Sequence, residues 1–408
     1  MRAFYYAGPL VSHEMGIPRL LVGAAVALAA LVTSGEVLAD SMDPALGRLV
    51  IDDQCRTTGP SGGGEFYDPA SSYRRCQPNH AAFAKLIAQL GTAIAPLASH
   101  PARTTGFGGY RFGIQSAFTT IDSDAHYWQQ GTQGPPDESS GYSSVSNIDP
   151  DGMLQMYSLT LAKGFPFGVE LGGAFGYLAN TETISGGGGI RVALFEGFRE
   201  SVPGFFPDVG VGGQVRTITG TSELKLTVAS FDAEISKPIP IAGTLTVHPH
   251  IGYQLLWIFG DSGLIDLTPN TDPVSHCGYS GDNNPATPDP DKDGIYDGQP
   301  VCASGSSSAD FNNNVVFNKI RLNRHRLTWG VQLRYQMINL GVHILTDVAD
   351  PVAANDGDTV IEEQAIDPSD PSGRTRFSLN KLDDDPRTDG DDSVKKQWTI
   401  AIELGAQF

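Results

Sequence analysis

The sequence ends on a strict alternation. Trp398, Ile400, Ile402, Leu404, Ala406 and Phe408 are apolar, while Thr399, Ala401, Glu403, Gly405 and Gln407 between them are polar or small. A period of two belongs to a β-strand, whose successive side chains point to opposite faces. Held to the last residue, it describes a strand that touches an apolar medium on one side and a polar one on the other. In a soluble sandwich the polar face meets bulk water. In a membrane barrel the apolar face meets lipid and the polar face meets the lumen. The second case also requires an export signal, no spanning helix, and strands joined alternately by short turns and long loops.

The N-terminal region supplies the signal. From Met15, Arg19 gives a positive charge, Leu20 to Val32 is an unbroken apolar run, and Val37-Leu38-Ala39 places small or short residues before a cleavage point at Asp40. Residues 1–39 therefore read as a signal peptide, with Met15 as its expected true start. The apolar run is too short to cross about 30 Å of hydrocarbon. No later run is long and apolar enough for a spanning helix, and a membrane protein without such helices must be a closed barrel, because lipid satisfies no backbone group.

From Gly109 onward the chain reads as about ten strands: 109–121, 153–163, 167–181, 188–195, 208–217, 223–235, 241–259, 318–335, 339–346 and 397–408. The apolar phase of the sixth flips between Val228 and Phe231, which predicts a bulge. Connections after even-numbered strands are short. Long ones span 122–152, 260–317 and 347–395, an asymmetry that a ten-stranded soluble jelly roll, the alternative, does not explain. The fold class is all-β, an antiparallel transmembrane β-barrel over 109–408 with both chain ends on the periplasmic side.

The ending resembles the closing strand of bacterial outer-membrane β-barrel proteins, in which the assembly machinery reads a C-terminal Phe. That resemblance implies that Trp398 and Phe408 form an assembly signal, that the protein resides in the bacterial outer membrane, and that its partners are outer-membrane lipid and the barrel assembly machinery.

Residues 40–108 precede the barrel. Pro78-Asn79 reads as a helix start, and Phe83, Leu86, Ile87, Leu90 and Ile94 recur at helical spacing before Pro96. This stripe is expected to pack on the Cys55–Cys76 loop or the lower rim of the barrel. A plug or partner-docking helix is the alternative, which the narrow lumen of a ten-stranded barrel disfavours.

The net charge is −19, and the acidic residues concentrate between Asp289 and Asp297 and between Asp347 and Asp392. That balance argues against nucleic acid as a partner, which needs a basic footprint. Four cysteines in an exported chain predict two disulfides, and the loop-like composition between them favours local pairing of Cys55 with Cys76 and Cys277 with Cys302. Asp289, Asp291, Asp293 and Asp297, with Gly294 making a sharp turn and the Ile295 carbonyl between, space oxygen donors as Ca²⁺ requires. The segment resembles the calcium repeats of thrombospondin type 3 and dockerin modules. It departs from an EF-hand at Pro300, where a bidentate Glu belongs, so a weak single Ca²⁺ site is expected.

Inward parity predicts a lumen lined by Arg111, Glu170, Arg191, Arg216, Glu234, His248, His250, Arg326, Arg334, His343 and Glu403. Buried charges of both signs have to pair. A mixed lining favours a structural or surface-recognition barrel with calcium- and disulfide-stiffened loops; a small porin-like channel for ions or small solutes is the alternative. A barrel-borne hydrolase is a third reading. His248 and His250 share a face, but the chain resembles the omptin-type barrel proteases in strand count only, and no acid of the same parity stands beside them, so no catalytic residue is assigned. Gly260-Asp261-Ser262-Gly263 reads as a turn, and Gly186 to Gly189 as hairpin flexibility.

Overall fold

The computed structural model describes residues 41–49, 78–98, 100–134, 147–196, 206–242, 244–266, 314–353 and 393–408, with the backbone of three short ladders, 57–58 with 65–66, 277–279 with 300–302, and 362–363 with 377–378. Ten long strands form one antiparallel sheet: β1 (Tyr110–Thr120), β2 (Met153–Phe165), β3 (Val169–Leu178), β4 (Ile184–Phe195), β5 (Asp208–Thr219), β6 (Leu224–Ser236), β7 (Leu245–Ser262), β8 (Ile320–Tyr335), β9 (Ile338–Asp347) and β10 (Trp398–Gln407). Each pairs with its neighbours in sequence, and β10 pairs with β1 from Thr399↔Thr119 to Gln407↔Arg111, which closes the barrel. Tyr110 and Phe408 exchange backbone hydrogen bonds of 3.2 and 2.9 Å at the seam. Closure removes both sheet edges, so no ladder is left unpaired.

Alternation sorts the two faces. Tyr110, Phe112, Ile114, Leu171, Phe175, Tyr253, Ile400, Ile402 and Leu404 all stand on the outer surface. Trp329 and Trp398 meet edge to face there, ring centroids 6.1 Å apart. An apolar belt around a whole barrel far exceeds the few hundred Å² that a water-facing surface tolerates; its medium is hydrocarbon.

The predicted bulge in the sixth strand is absent. β6 keeps unbroken register with β5 and β7. Leu224, Leu226 and Val228 face inward, and so do Ser230, Asp232, Glu234 and Ser236. The phase flip therefore reports a change in what fills the lumen, apolar near one end and polar near the other. The register shifts lie between Ala193 and Phe195 of β4, and between Leu245 and Thr246 of β7, where the four-residue strand Ile239–Ala242 folds back. Gly186 to Gly189 run within β4 rather than in a hairpin; a Cβ on Gly187 would stand 2.4 Å from the Val215 carbonyl oxygen. Gly260 to Ser262 likewise continue β7 and make no turn.

Helix α1 (His80–Ile94) explains the apolar inner half. Asn79 caps it, its side-chain oxygen accepting from Ala82 N–H at 3.0 Å, and Pro96 follows its end. Phe83, Leu86, Ile87, Leu90 and Ile94 are buried, as are Ala84, Gly91 and Ala93 beside the stripe and Ala88 and Thr92 on the opposite side. A helix on the rim would bury one stripe; this one is enclosed all round and packs against β1, β2, β6, β7 and β8. It is a plug inside the barrel. The expectation that the stripe rests on the rim or on the cysteine loop fails because small residues thin one side of the helix, letting it enter a lumen too narrow for large side chains all round.

Ahead of the helix, Met42 N–H donates to Asn180 O at 3.0 Å and Asp43 Oδ1 accepts from Glu182 N–H at 2.7 Å, both on the β3–β4 loop. That loop and the β5–β6 turn lie at the end of the barrel from which the long connections emerge. After the helix, residues 95–98 and 100–108 descend to the opposite end, where Gly108 N–H reaches Gly164 O at 3.3 Å. Residues 41–49 and Phe408 thus occupy opposite ends of the barrel. Residues 41–49 therefore depart from the expectation that 40–108 stays on the side of the closing strand: the stripe announces a helix, but not that the chain threads the lumen. Residues 1–39, Cys55, Cys76 and the Asp289–Asp297 segment lie outside the described residues.

Candidate functional site

The lumen and its plug form the candidate site, and the wall meets the plug in three tiers. At the long-loop end the contact is mainly apolar. Phe83 stacks on Phe317 at 4.6 Å, and His80 meets the same ring edge-on at 6.1 Å. The short helix α2 (His126–Gly131) lays Trp128 over the plug, its indole N–H donating to Gln89 Oε1 at 2.6 Å; the Tyr127 hydroxyl accepts from Gln89 Nε2 at 3.0 Å. Burial pushes the Tyr127 phenol up and holds the His80 imidazole below its usual value. Burial likewise raises the Glu223 carboxyl, which accepts from Leu46 N–H at 3.0 Å.

The middle tier is polar and centred on Arg324, buried at 2% exposure. One guanidinium nitrogen donates to the Ala88 carbonyl at 2.9 Å and to Thr92 Oγ1 at 2.6 Å; the other pairs with Asp347 Oδ2 at 2.5 Å. Gln397 ties the group together, its N–H donating to Asp347 Oδ2 at 2.8 Å and its side-chain amide to Thr120 O at 2.8 Å. Below it, Arg216 reaches the Ile94 carbonyl at 3.4 Å, a cation at the helix C-terminus where free carbonyls gather. Arg326 donates to Thr399 Oγ1 at 2.6 Å.

In the lowest tier the wall charges bind the extended chain itself. Gln254 donates to Pro96 O at 2.8 Å and Arg191 to Pro101 O at 2.9 Å. Arg191 also faces Glu234 at 3.4 Å and Asp232 at 3.7 Å. His100 stands 3.3 Å from Glu403. Thr104 N–H donates to Glu196 at 2.8 Å, and Thr105 N–H to Glu170 at 2.8 Å, while Arg111 holds the other Glu170 oxygen at 3.0 Å. His250 and His343 meet at 3.0 Å, with His248 buried on the same face. Arg334, half-buried at the short-turn end, donates to Gln336 O at 3.2 Å.

The structure thus places Arg111, Glu170, Arg191, Arg216, Glu234, His248, His250, Arg326, Arg334, His343 and Glu403 on the inner face. What they meet there is the plug's backbone as much as one another. Arg324 and Asp347 escaped the sequence reading. Arg324 has the parity of Arg326, which could have found it; Asp347 read as the first residue of a loop. Gln89 and Thr92 gave no signal, being polar residues in a helix whose surroundings only the fold decides.

A cavity of about 60 Å³ remains between plug and wall, lined by Gln115, Glu170, Gly172, Gly189, Gln214 and Arg216, among others; it is the size of a few waters. At the long-loop end a recess of about 530 Å³ opens among Lys85, Asp122, His126, Asp350, Lys395 and Lys396. Among the described residues no cluster of three His, Cys, Asp or Glu could hold a metal ion. Cys277 and Cys302 are direct backbone partners in a short ladder.

No protein-family model matches the sequence, and no curated protein is similar to it. Among solved structures, the attachment invasion locus protein Ail of Yersinia pestis is similar at 10% identity and TM-score 0.21, over 74% of this chain and 99% of that one. The outer membrane protein Omp33 of Acinetobacter baumannii is similar at 7% identity and TM-score 0.20, over 74% and 99%. The outer membrane protease OmpT of Escherichia coli is similar at 8% identity and TM-score 0.20, over 77% and 98%. Likeness this loose bears on no residue of the lumen.

Proposed function

We propose that this chain is a non-enzymatic bacterial outer-membrane barrel that is closed at rest and serves as a rigid scaffold, presenting its long connections, 122–152, 260–317 and 347–395, at the cell surface for structural or recognition purposes. One observation carries this reading: α1 and residues 95–98 and 100–108 occupy the lumen and are hydrogen-bonded to the wall at each tier. The apolar belt, the long-loop asymmetry and the seam at Phe408 support membrane residence, lipid as the surrounding partner and assembly by the barrel machinery. The proposal includes stiffened loops, supported by the Asp289–Asp297 donor spacing and by the register of Cys277 opposite Cys302.

A porin-like channel needs a continuous aqueous path; the cavity of about 60 Å³ beside the plug has room for only a few waters, which favours the closed reading. Conductance in a planar bilayer tests the reading. The intact protein is expected to show no single-channel steps, and a variant lacking residues 41–104 to show them. Steps from the intact protein of the same size as from the deletion variant would replace the scaffold with the channel.

A further inference from the structure

We infer that residues 41–49, ahead of α1, stand on the outer face of the membrane, having crossed it within the lumen of their own barrel, so that the plug is the trailing end of a self-exported segment. This rests on the orientation proposed above, in which the long connections face outward. Three observations place the parts. β1 begins at the short-turn end, where Tyr110 pairs with the C-terminal Phe408. Residues 108–100 and 98–95 rise from there along the wall, through Thr105 on Glu170, Ala102 on Ser236 and Pro96 on Gln254. The helix continues for about 22 Å at 1.5 Å per residue, and beyond it Asn79 N–H donates to Leu49 O at 2.8 Å at the long-loop end.

Residues 41–49 are not loosely parked there. Leu46 is fully buried and its N–H is held by Glu223; Arg48 donates to Thr132 O and Gln133 O at 3.1 and 2.9 Å; Asp43 accepts from Glu182. The segment is built into the outer rim as a structural part. An exported chain reaches the membrane from the periplasmic side, so this segment has to cross. The hydrocarbon offers no partner for its backbone groups or for Asp43 and Arg48. The lumen does, and its lower wall carries side-chain donors and acceptors that bind extended backbone: Arg191 on Pro101 O, Ser236 on Ala102 N–H, Glu196 on Thr104 N–H and Glu170 on Thr105 N–H. Such a track suits a passing chain, and α1 then fills the upper half, leaving the closed state.

Epitope insertion tests this on the full-length protein. One tag is placed between Asp40 and Ser41, and a second, in a separate variant, within the 347–395 connection; both are probed with antibody on intact cells and after outer-membrane permeabilisation, with heat-modifiable gel mobility confirming a folded barrel. Labelling of both tags on intact cells is the expected result. Labelling of the loop tag alone, with the N-terminal tag reached only after permeabilisation, overturns the inference and leaves the orientation standing. Labelling of neither on intact cells, with both reached after permeabilisation, overturns the orientation and the inference with it.

Discussion

Gly91 of the plug lies so close to Ile258 of the wall that a Cβ on it would stand 2.5 Å from the isoleucine Cγ2. The contact has a counterpart in Gly260 of β7, where a Cβ would meet Ile87 Cγ2 at 2.6 Å. Each glycine is the space into which the other element's isoleucine fits. The helix is therefore keyed to the wall by shape as well as by hydrogen bonds.

Gly91→Ala should strain this fit by about 1–3 kcal/mol, the usual cost of overpacking. Adding Ile258→Leu removes the branch that the new methyl meets and should restore most of the loss. The temperature of the heat-modifiable gel shift reads both variants. If the double variant melts no higher than Gly91→Ala alone, the two side chains are not in the contact described.

Arg324 holds the plug to the wall through Ala88, Thr92 and Asp347. Arg324→Met should destabilise the folded barrel by about 3–5 kcal/mol, because Asp347 is left as an uncompensated buried charge. Arg324→Met combined with Asp347→Leu should cost markedly less. Equal loss in the single and double variants would show that charge pairing is not the source of the effect.

His80 accepts from Asn318 N–H at 3.2 Å through Nδ1, which requires the neutral ring. Burial lowers its pKa from 6.5, so the stability it contributes is complete above that value and is lost as pH falls through the lower folded value. Backbone hydrogen exchange at the start of α1 should therefore quicken on acidification below about pH 6.5. His80→Asn should flatten that response. An identical pH profile in the variant would assign the acid sensitivity to another group.

The carboxylates Asp289, Asp291, Asp293 and Asp297 repel one another without a cation. Millimolar Ca²⁺ is expected to protect residues 285–300 from proteolysis, and Asp291→Ala with Asp293→Ala to abolish the protection while the barrel stays folded. Calorimetry that detects no calcium-dependent heat in the unmodified protein would return these residues to the role of solvated charge. Peptide mapping under non-reducing conditions should separately find Cys277 joined to Cys302, its direct partner across the ladder.

The strands were legible because their signal is local. From Tyr110 to Phe118 and from Trp398 to Phe408, every second residue declares its medium, and connection lengths then order the strands around the ring. The helix was legible too, from Asn79 as its cap to Pro96 beyond its end. Inward parity named Arg111 and Glu170 as lumen residues but could not pair them, since partners across a barrel are set by register and tilt rather than by sequence distance. It also mistook the phase change at Val228 for a bulge, because alternation reports polarity and cannot say that a helix, rather than lipid, is the apolar neighbour.

By itself, then, the sequence determined an antiparallel barrel of about ten strands with an apolar belt, preceded by one amphipathic helix. Where that helix goes was decided only by the tertiary structure. Its place in the lumen depends on Gly91 and Gly260 vacating space for Ile258 and Ile87, and on Arg324 reaching Ala88 and Thr92 across the ring. None of those pairs is close in sequence. Each contact exists only once the barrel has closed, which is why no periodicity in the chain could announce that the barrel is plugged.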